Sequence, residues 1–537
     1  LHYYSGELGY SIDHGDIEEA LGGRRETAHF VIYYSNTAEI EREIDLIAAD
    51  HELRYAQVVA QIGIEPTRKL RSYYFADRDQ KWQLFGARDV EMAKPWLGDI
   101  YLDHRSFPHG SLRHEIAHAI AREFGDPIFG VAARRVAGIP ALMSPALIEG
   151  LAVALDWPMG YDRPNPHESV RAMQEMNRLP TLDQLFGLQF FSVSSARGYT
   201  TAGSFLRFLL DTHGPAKLRA VYRNGGDFEA AYGVPRGTLE GEWRAMLAAI
   251  VLPEAQVAAS AERFRGTSVF ARPCPHAIAA RRERAFDSYG DGDRPKAVKL
   301  MRRVCKDAPE EPRYRLELGD LLFSGDPGDR SEAETVWTEL ATDAQGVTSS
   351  LRAQAYERIA RMVGGRGDLE RARALIATAR TLPIEPVDRR TLDGMAFALD
   401  HEGPAGASLR AYFFPAGIGI PALQHALLAT IAEPSLGLGH YLLGLQRANA
   451  DDWVGAAVAL DIALARGLPS IVFTKNAARR LAVAAFRSGD HNRLSVAITV
   501  LSGSQMTSGD RLLARDWLDR ISFATNGTLT PWSLRPR

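Results

Sequence analysis

SLRHEIAHAIAREF, Ser111 to Phe124, decides how this chain of 537 residues is read. His114 and His118 stand four apart, and at 3.6 residues per turn that spacing stacks both imidazoles on one face of a helix. Such a pair offers a bite suited to one tetrahedral zinc ion, while Glu115 falls just round the helix beside the ion's open position. The pattern is HExxH. A carboxylate at Glu115 is placed to take a proton from a water that the ion acidifies. The flanks agree with a helix. Ser111 follows Pro108 and Gly110 as a candidate N-cap, Leu112, Ile116, Ala117, Ala119 and Ile120 supply apolar positions, and Gly125-Asp126-Pro127 stops the run.

Two histidines leave the ion one protein ligand short, and Glu149 is the candidate for the third. Ser144-Pro145 reads as an N-cap followed by proline at the first helical position, and ALIEGLAVALDW then runs as a mostly apolar helix until Pro158. Leu147, Ile148, Leu151, Ala152, Val153 and Leu155 surround the carboxylate on nearly every side. A lone charge in that setting is costly unless it has a partner, and coordination supplies one. Asp156, seven residues on, shares the Glu149 face. Two readings stand for it, a helix-end aspartate or an acceptor that orients a ligand histidine.

HEIAH followed about thirty residues later by EGLA resembles the gluzincin metallopeptidases, the HExxH…E class, and especially their compact bacterial "peptidase MA-like" members. YTTAGSFLRFLLDTHG, Tyr199 to Gly214, is similar to the downstream gluzincin helix that starts with a catalytic tyrosine, and GTLEGEWRAML, Gly237 to Leu247, to the usual end of the peptidase domain. The resemblance implies zinc ligands at His114, His118 and Glu149, a general base at Glu115, and a hydroxyl donor to the oxyanion at Tyr199. In aminopeptidase-type members a glycine comes three residues after the tyrosine, whereas here Ala202 takes that place and Gly203 follows. A tyrosine opening an amphipathic helix also reads as ordinary packing. No GAMEN-like stretch for a free amino terminus is present, which points to endopeptidase action.

The surrounding pattern fits a small mixed sheet behind the zinc helix. AHFVIYYS reads as a strand, Thr37 to Ile62 as a long amphipathic helix, LRSYYFA as a second strand, and KWQLFG and GDIYLD as two short ones. An edge strand between Phe85 and Asp103 is where, by the resemblance, an extended substrate pairs. Residues 1 to 27 show no sustained period and read as an N-terminal extension. Asp126 to Met143 reads as a connection, RPNPHES as a loop, Ser169 to Asn177 as a helix, and LPTLDQLFG as a turn and short helix.

Near Pro253 the character changes to Ala-, Leu- and Arg-rich helix. GDRPKA (Gly292 to Ala297), GDRSEA (Gly328 to Ala333), GDLERA (Gly367 to Ala372) and, more weakly, DDWVGA and GDHNRL recur at steps of about forty residues or near multiples. This resembles tetratricopeptide repeats, although residues 381 to 436 fit poorly. The fold expected is therefore an α+β zincin-like catalytic domain over 28–255, a linker over 256–274, and an all-α, TPR-like helical-repeat domain over 275–537. Stacked helix pairs leave a surface for a protein partner; the other reading is an irregular helical domain with no groove.

Composition bounds the partners. A net charge of −3 gives no global basic field for nucleic acid, and no run of eighteen apolar residues appears for a membrane span. Only Cys274 and Cys305 occur. They either form one disulfide across the first helix pair or remain two buried thiols. With the start at Leu1, which suggests a processed or a trimmed chain, the disulfide reading points to an extracytoplasmic protein. Three function classes follow: a zinc metallopeptidase acting on a peptide or protein, a catalytically degenerate scaffold, and a zinc hydrolase of a non-peptide substrate. Intact His114, Glu115, His118 and Glu149 favour the first over the second.

Overall fold

The computed structural model describes residues 13–136, 139–161, 163–265, 275–415 and 421–531, with the backbone alone at 135, 136, 139–141, 188, 275 and 276. They form an α+β part followed by a long series of helices. By contacts the chain divides into two units: residues 1–171, 179–250 and 511–537 in the first, 172–178 and 251–510 in the second. That division departs from a repeat domain running unbroken from 275 to 537, because 511–537 joins the first unit. It also departs from a linker over 256–274, since a helix, Glu254–Arg263, already belongs to the second unit.

In the first unit, α1 (His14–Leu21) opens with a capping box in which Asp13 and Asp16 satisfy each other's backbone N–H groups. Gly22, at φ +75°, turns the chain straight into β1 (Gly22–Glu26), which pairs antiparallel with β2 (Phe30–Ser35). The described part of the expected N-terminal extension is thus an edge of the sheet. Then come α2 (Ala38–Ile62), β3 (Leu70–Phe75), α3 (Arg78–Phe85), β4 (Met92–Lys94) and β5 (Asp99–Asp103). The sheet order is β1-β2-β3-β5-β4, with β2, β3 and β5 parallel and both edges antiparallel. Parallel strands are covered on both faces, hence their nearly unbroken apolar and aromatic runs. On one face Tyr33, Tyr73 and Tyr101 stack at 5.4 and 4.9 Å, with Phe85 of α3 closing the ladder 3.9 Å from Tyr101. On the other, Phe30 and Tyr74 meet His51 of α2 edge-on.

KWQLFG, expected as a strand, is helix α3. The Asp77 carboxylate accepts from the N–H groups of Asp79 and Gln80, and Gly86 at φ +82° ends the turn, so local capping chemistry overrides the aromatic β-propensity of Trp82 and Phe85. Beyond β5, α4 (Leu112–Ala121) packs beside α2 and against β5 and β4, and a 3₁₀ turn, Arg122–Phe124, carries it to Gly125. Ser111 occupies the N-cap position but makes no side-chain cap hydrogen bond. The expected connection after it contains a hairpin, β6 (Ala133–Val136) and β7 (Ile139–Met143). Then follow α5 (Pro145–Leu155), α6 (Pro166–Glu175), α7 (Leu182–Phe186), α8 (Ser195–His213), α9 (Pro215–Arg223), α10 (Phe228–Tyr232) and α11 (Arg236–Ala248). RPNPHES is therefore only half loop, since Pro166 already starts α6.

The second unit is helical throughout its described residues. Helices Pro275–Gly290, Arg294–Asp307, Pro312–Phe323, Pro327–Thr342, Ser349–Gly365 and Leu369–Arg380 pack each on the next, and Pro386–Asp400, Gly403–Phe413, Ala422–Ala432, Gly437–Asn449, Trp453–Arg466, Ile471–Arg487 and His491–Leu501 continue the series. Residues 381–436, poor matches to the repeat pattern, supply three of these helices. The recurring Gly-Asp has a simple cause. Gly292, Gly367 and Gly489 take positive φ in the inter-helix turn, and Asp293, Asp368 and Asp490 cap the next helix by accepting from the N–H three residues on. Four residues after the cap, Ala297, Ala372 and Leu494 are fully buried against neighbouring helices. GDRSEA is out of phase with the others: the cap there is Asp326, and Gly328 lies inside the helix. Burial pushes the Cys305 thiol up to about 11, and Cys274 lies outside the described residues, as does the choice between a disulfide and two thiols.

Candidate metal centre

The site is built where two helices present donors toward each other. On α4 the four-residue spacing sets the His114 and His118 rings 4.9 Å apart and nearly perpendicular. On α5 the Glu149 carboxylate faces both, with Oε2 at 3.6 Å from His114 Nε2 and 3.7 Å from His118 Nε2. These separations are too long for hydrogen bonds. They suit a shared ion instead. Ligand atoms about 2.0–2.1 Å from a tetrahedral zinc lie about 3.4 Å from one another, so Glu149 needs to approach each histidine by only a few tenths of an ångström. All three donor atoms lie within 4.8 Å of one another. The expected set His114, His118 and Glu149 is brought together.

The α5 position that makes this possible depends on two glycines. A Cβ on Gly150 would stand 2.8 Å from Ala202 Cβ, and one on Gly203 only 2.0 Å from Val153 Cγ1. Their bare backbones let α5 and α8 pack closely, which brings Tyr199 of α8 to the same cavity wall as Glu149. Tyr199 does not open its helix, as its alignment with the catalytic tyrosine suggested; α8 starts four residues earlier at Ser195. A second device fixes α4 against α5. Arg113, beside His114, reaches the end of α5, where its Nε donates to Asp156 Oδ1 at 3.0 Å and its Nη2 to the Asp156 carbonyl at 2.9 Å. Asp156 therefore takes this arginine and makes no hydrogen bond to a ligand histidine among the described residues. Arg113 was not singled out in the sequence, although a cation on the buried side of the motif helix was the available signal.

Charge within the site is strongly organised. Burial opposes a charge on Glu149, but the two histidines outweigh it and hold the carboxyl well below its usual range. Burial also opposes a charge on His114, and there Glu149, Glu115 and Asp156 prevail, pushing the imidazole up to about 9. Glu115 is 5% exposed, and burial pushes its carboxyl up against the pull of His118 and His114. Burial and the Glu149 charge push the Tyr199 phenol up to about 12, so it is protonated at neutral pH.

The donors, Glu115 and Tyr199 line one wall of an open cavity of about 700 Å³. The opposite wall is β4 and its flanks, with Val90, Met92 and Trp96 exposed toward it. β4 is the outer strand of the sheet, as expected for the Phe85–Asp103 stretch, and its far side is unpaired among the described residues. At one end Arg105 lies between Glu91 (2.7 Å) and Asp103 (3.1 Å), and the buried Lys81 joins the same pair of carboxylates. These end-wall charges were not legible as a group, because they come from three separate segments, around Lys81, Glu91 and Asp103–Arg105. Among the described residues no helix is long and apolar enough to cross a membrane. No protein family model matches this chain, and no curated protein matches it.

Proposed function

We propose that the first unit is a zinc-dependent peptide hydrolase of the gluzincin kind, with His114, His118 and Glu149 holding the ion. The observation that carries this reading is the convergence of three donors from two helices, all within 4.8 Å of one another, in a cavity that Glu115 and Tyr199 also line. Zinc bound there would polarise a scissile carbonyl and acidify a water. The chain's own residues do the rest. Glu115 accepts the water's proton as the water oxygen bonds to the carbonyl carbon, then delivers it to the amine nitrogen as the C–N bond breaks. Burial raises its carboxyl above the usual carboxylate value, which makes it a stronger base. Tyr199 keeps its proton and donates a hydrogen bond to the carbonyl oxygen as negative charge builds there. The free side of β4 offers backbone N–H and C=O groups to an extended polypeptide lying in the cavity. The helical unit serves to position a protein partner or the substrate.

Metal analysis of the purified chain and a peptide-library digest, each with Glu115→Gln as control, test the reading. Stoichiometric zinc with cleavage that is lost in the variant is the expected result. A chain that takes up no zinc, or a variant as active as the parent, overturns it. Hydrolysis of small esters without any cleaved peptide moves the site to another substrate class.

A further inference from the structure

The Ser508–Asn526 helix lies far along the sequence from α4, yet from Arg511 onward it belongs to the first unit. Asp516 and Arg520, one turn apart on it, are both nearly inaccessible to solvent. They meet Asp50 and Arg54, also one turn apart, on α2. Arg520 Nη2 lies 2.7 Å from Asp50 Oδ1 and its Nε 3.3 Å from Asp516 Oδ2; Arg54 Nη2 donates to Asp516 Oδ2 at 3.1 Å, and Gln57 Nε2 to Asp516 Oδ1 at 3.0 Å. Two cations and two anions thus alternate across the contact between α2 and this helix.

The contact does not end at α2. The other Asp50 oxygen, Oδ2, accepts the backbone N–H of His109 at 3.4 Å, three residues before α4 begins. The Arg520 guanidinium lies 4.9 Å above the Phe107 ring, and the Trp517 ring is 6.4 Å from that ring. Phe107 to His109 is the segment that delivers the chain into the motif helix. A buried ion network adds little net stability, because desolvation offsets its attraction, but it tolerates few geometries, since displacing one member leaves a charge buried and unpaired. Arg113 and Asp156 fix α4 relative to α5 from the other side.

We propose that the Ser508–Asn526 helix is a positioning element of the metal site. Arg520 and Asp516 act through Asp50 on the Phe107–His109 segment, and so set where α4 starts and where His114 and His118 stand relative to Glu149. None of these residues touches a substrate or an ion. The zinc-linked part rests on the proposed function; the coupling of this helix to α4 does not.

Asp516→Asn and Arg520→Lys change the network with little change of shape. At a temperature where circular dichroism shows both folded, each should bind zinc about 10- to 100-fold more weakly, as loss of groups that orient ligands does elsewhere, with kcat falling and KM nearly unchanged. Hydrogen exchange should show the amides of α4 opening at least tenfold faster in the variants, while those of α8 do not change. Folded variants with parental zinc affinity and parental α4 exchange overturn the proposal, whatever their melting temperatures. Should both variants fail to fold, the parent chain in sub-denaturing urea decides: α4 and the Ser508–Asn526 helix must open with the same urea dependence, and separate opening overturns the coupling. A parent chain that binds no zinc removes the zinc reading alone, because exchange still tests the coupling.

Discussion

Zinc loading should expel a proton from His114. In the metal-free site this imidazole sits between Glu149, Glu115 and Asp156 with its pKa pushed up to about 9, so at pH 7 the protonated form outnumbers the neutral one by about 100 to 1. A metal ligand must be neutral imidazole. Zinc binding at pH 7 therefore carries a proton-release cost of about 3 kcal/mol, and the apparent affinity should rise tenfold per pH unit from about 7 to 8 and level off near 9. An imidazole at its ordinary value near 6.5 gives a plateau about two and a half units lower. Isothermal titration with a competing chelator, run in buffers of different ionisation enthalpy, counts the protons directly: close to one per zinc at pH 7.5 is expected. The same linkage has a stability counterpart. Because the folded value lies above the unfolded one, His114 contributes stability in the metal-free chain that is fully present below about pH 6.5 and is lost as pH rises through 9, up to about 3 kcal/mol. His114→Asn removes that pH dependence. No proton release at pH 7.5, together with an affinity that is flat between pH 7 and 9, refutes the reasoning.

Three other perturbations test separate parts of the site. Glu115→Gln should retain zinc with parental affinity and lose at least about 100-fold in kcat, since it removes a base and no ligand; atomic absorption and a fluorogenic peptide assay measure the two. Tyr199→Phe should lower kcat by about 100-fold or more with KM little changed, and an unchanged kcat returns Tyr199 to packing. Gly203→Ala forces a methyl against Val153, so α5 and α8 must separate; thermal melting should show a loss of about 1–3 kcal/mol, and zinc affinity should fall with it because Glu149 moves with α5.

The donors were readable in the sequence because their relations are local. His114 and His118 are set by helical pitch alone, and Glu149 betrayed itself as the one carboxylate in an apolar helix. β2, β3 and β5 were readable as short apolar and aromatic runs and α2 by its helical period, signals that are also local. Where two local signals compete, reading fails: the aromatics of KWQLFG suggest a strand, while Asp77 and Gly86 at its ends make α3. β4 is three residues long and carries too little pattern to recognise. Arg54 with Asp516 is a different case. Their partnership is separated by 462 positions, and neither residue is unusual in its own neighbourhood. The in-phase Gly-Asp repeats were found by their period, but their role as turn and cap emerges only from φ at the glycines and the hydrogen bonds of the aspartates.

The joining of residues 511–537 to the first unit bears on the order in which the protein can be made. A chain emerging vectorially folds its domains as each is completed. Here the sheet, α4 and α5 are synthesised early, but Arg54 and Asp50, which pair with each other on α2, meet Asp516 and Arg520 only after the entire span 251–510 has followed. During that interval two buried-to-be charges and the Phe107 ring face solvent. The second unit, by contrast, is built of neighbours contacting neighbours and can fold progressively as it appears. Completion of the first unit is thereby timed by synthesis of the other: the half translated first is the half finished last, and the closing step joins segments 462 positions apart, the kind of contact that forms slowly.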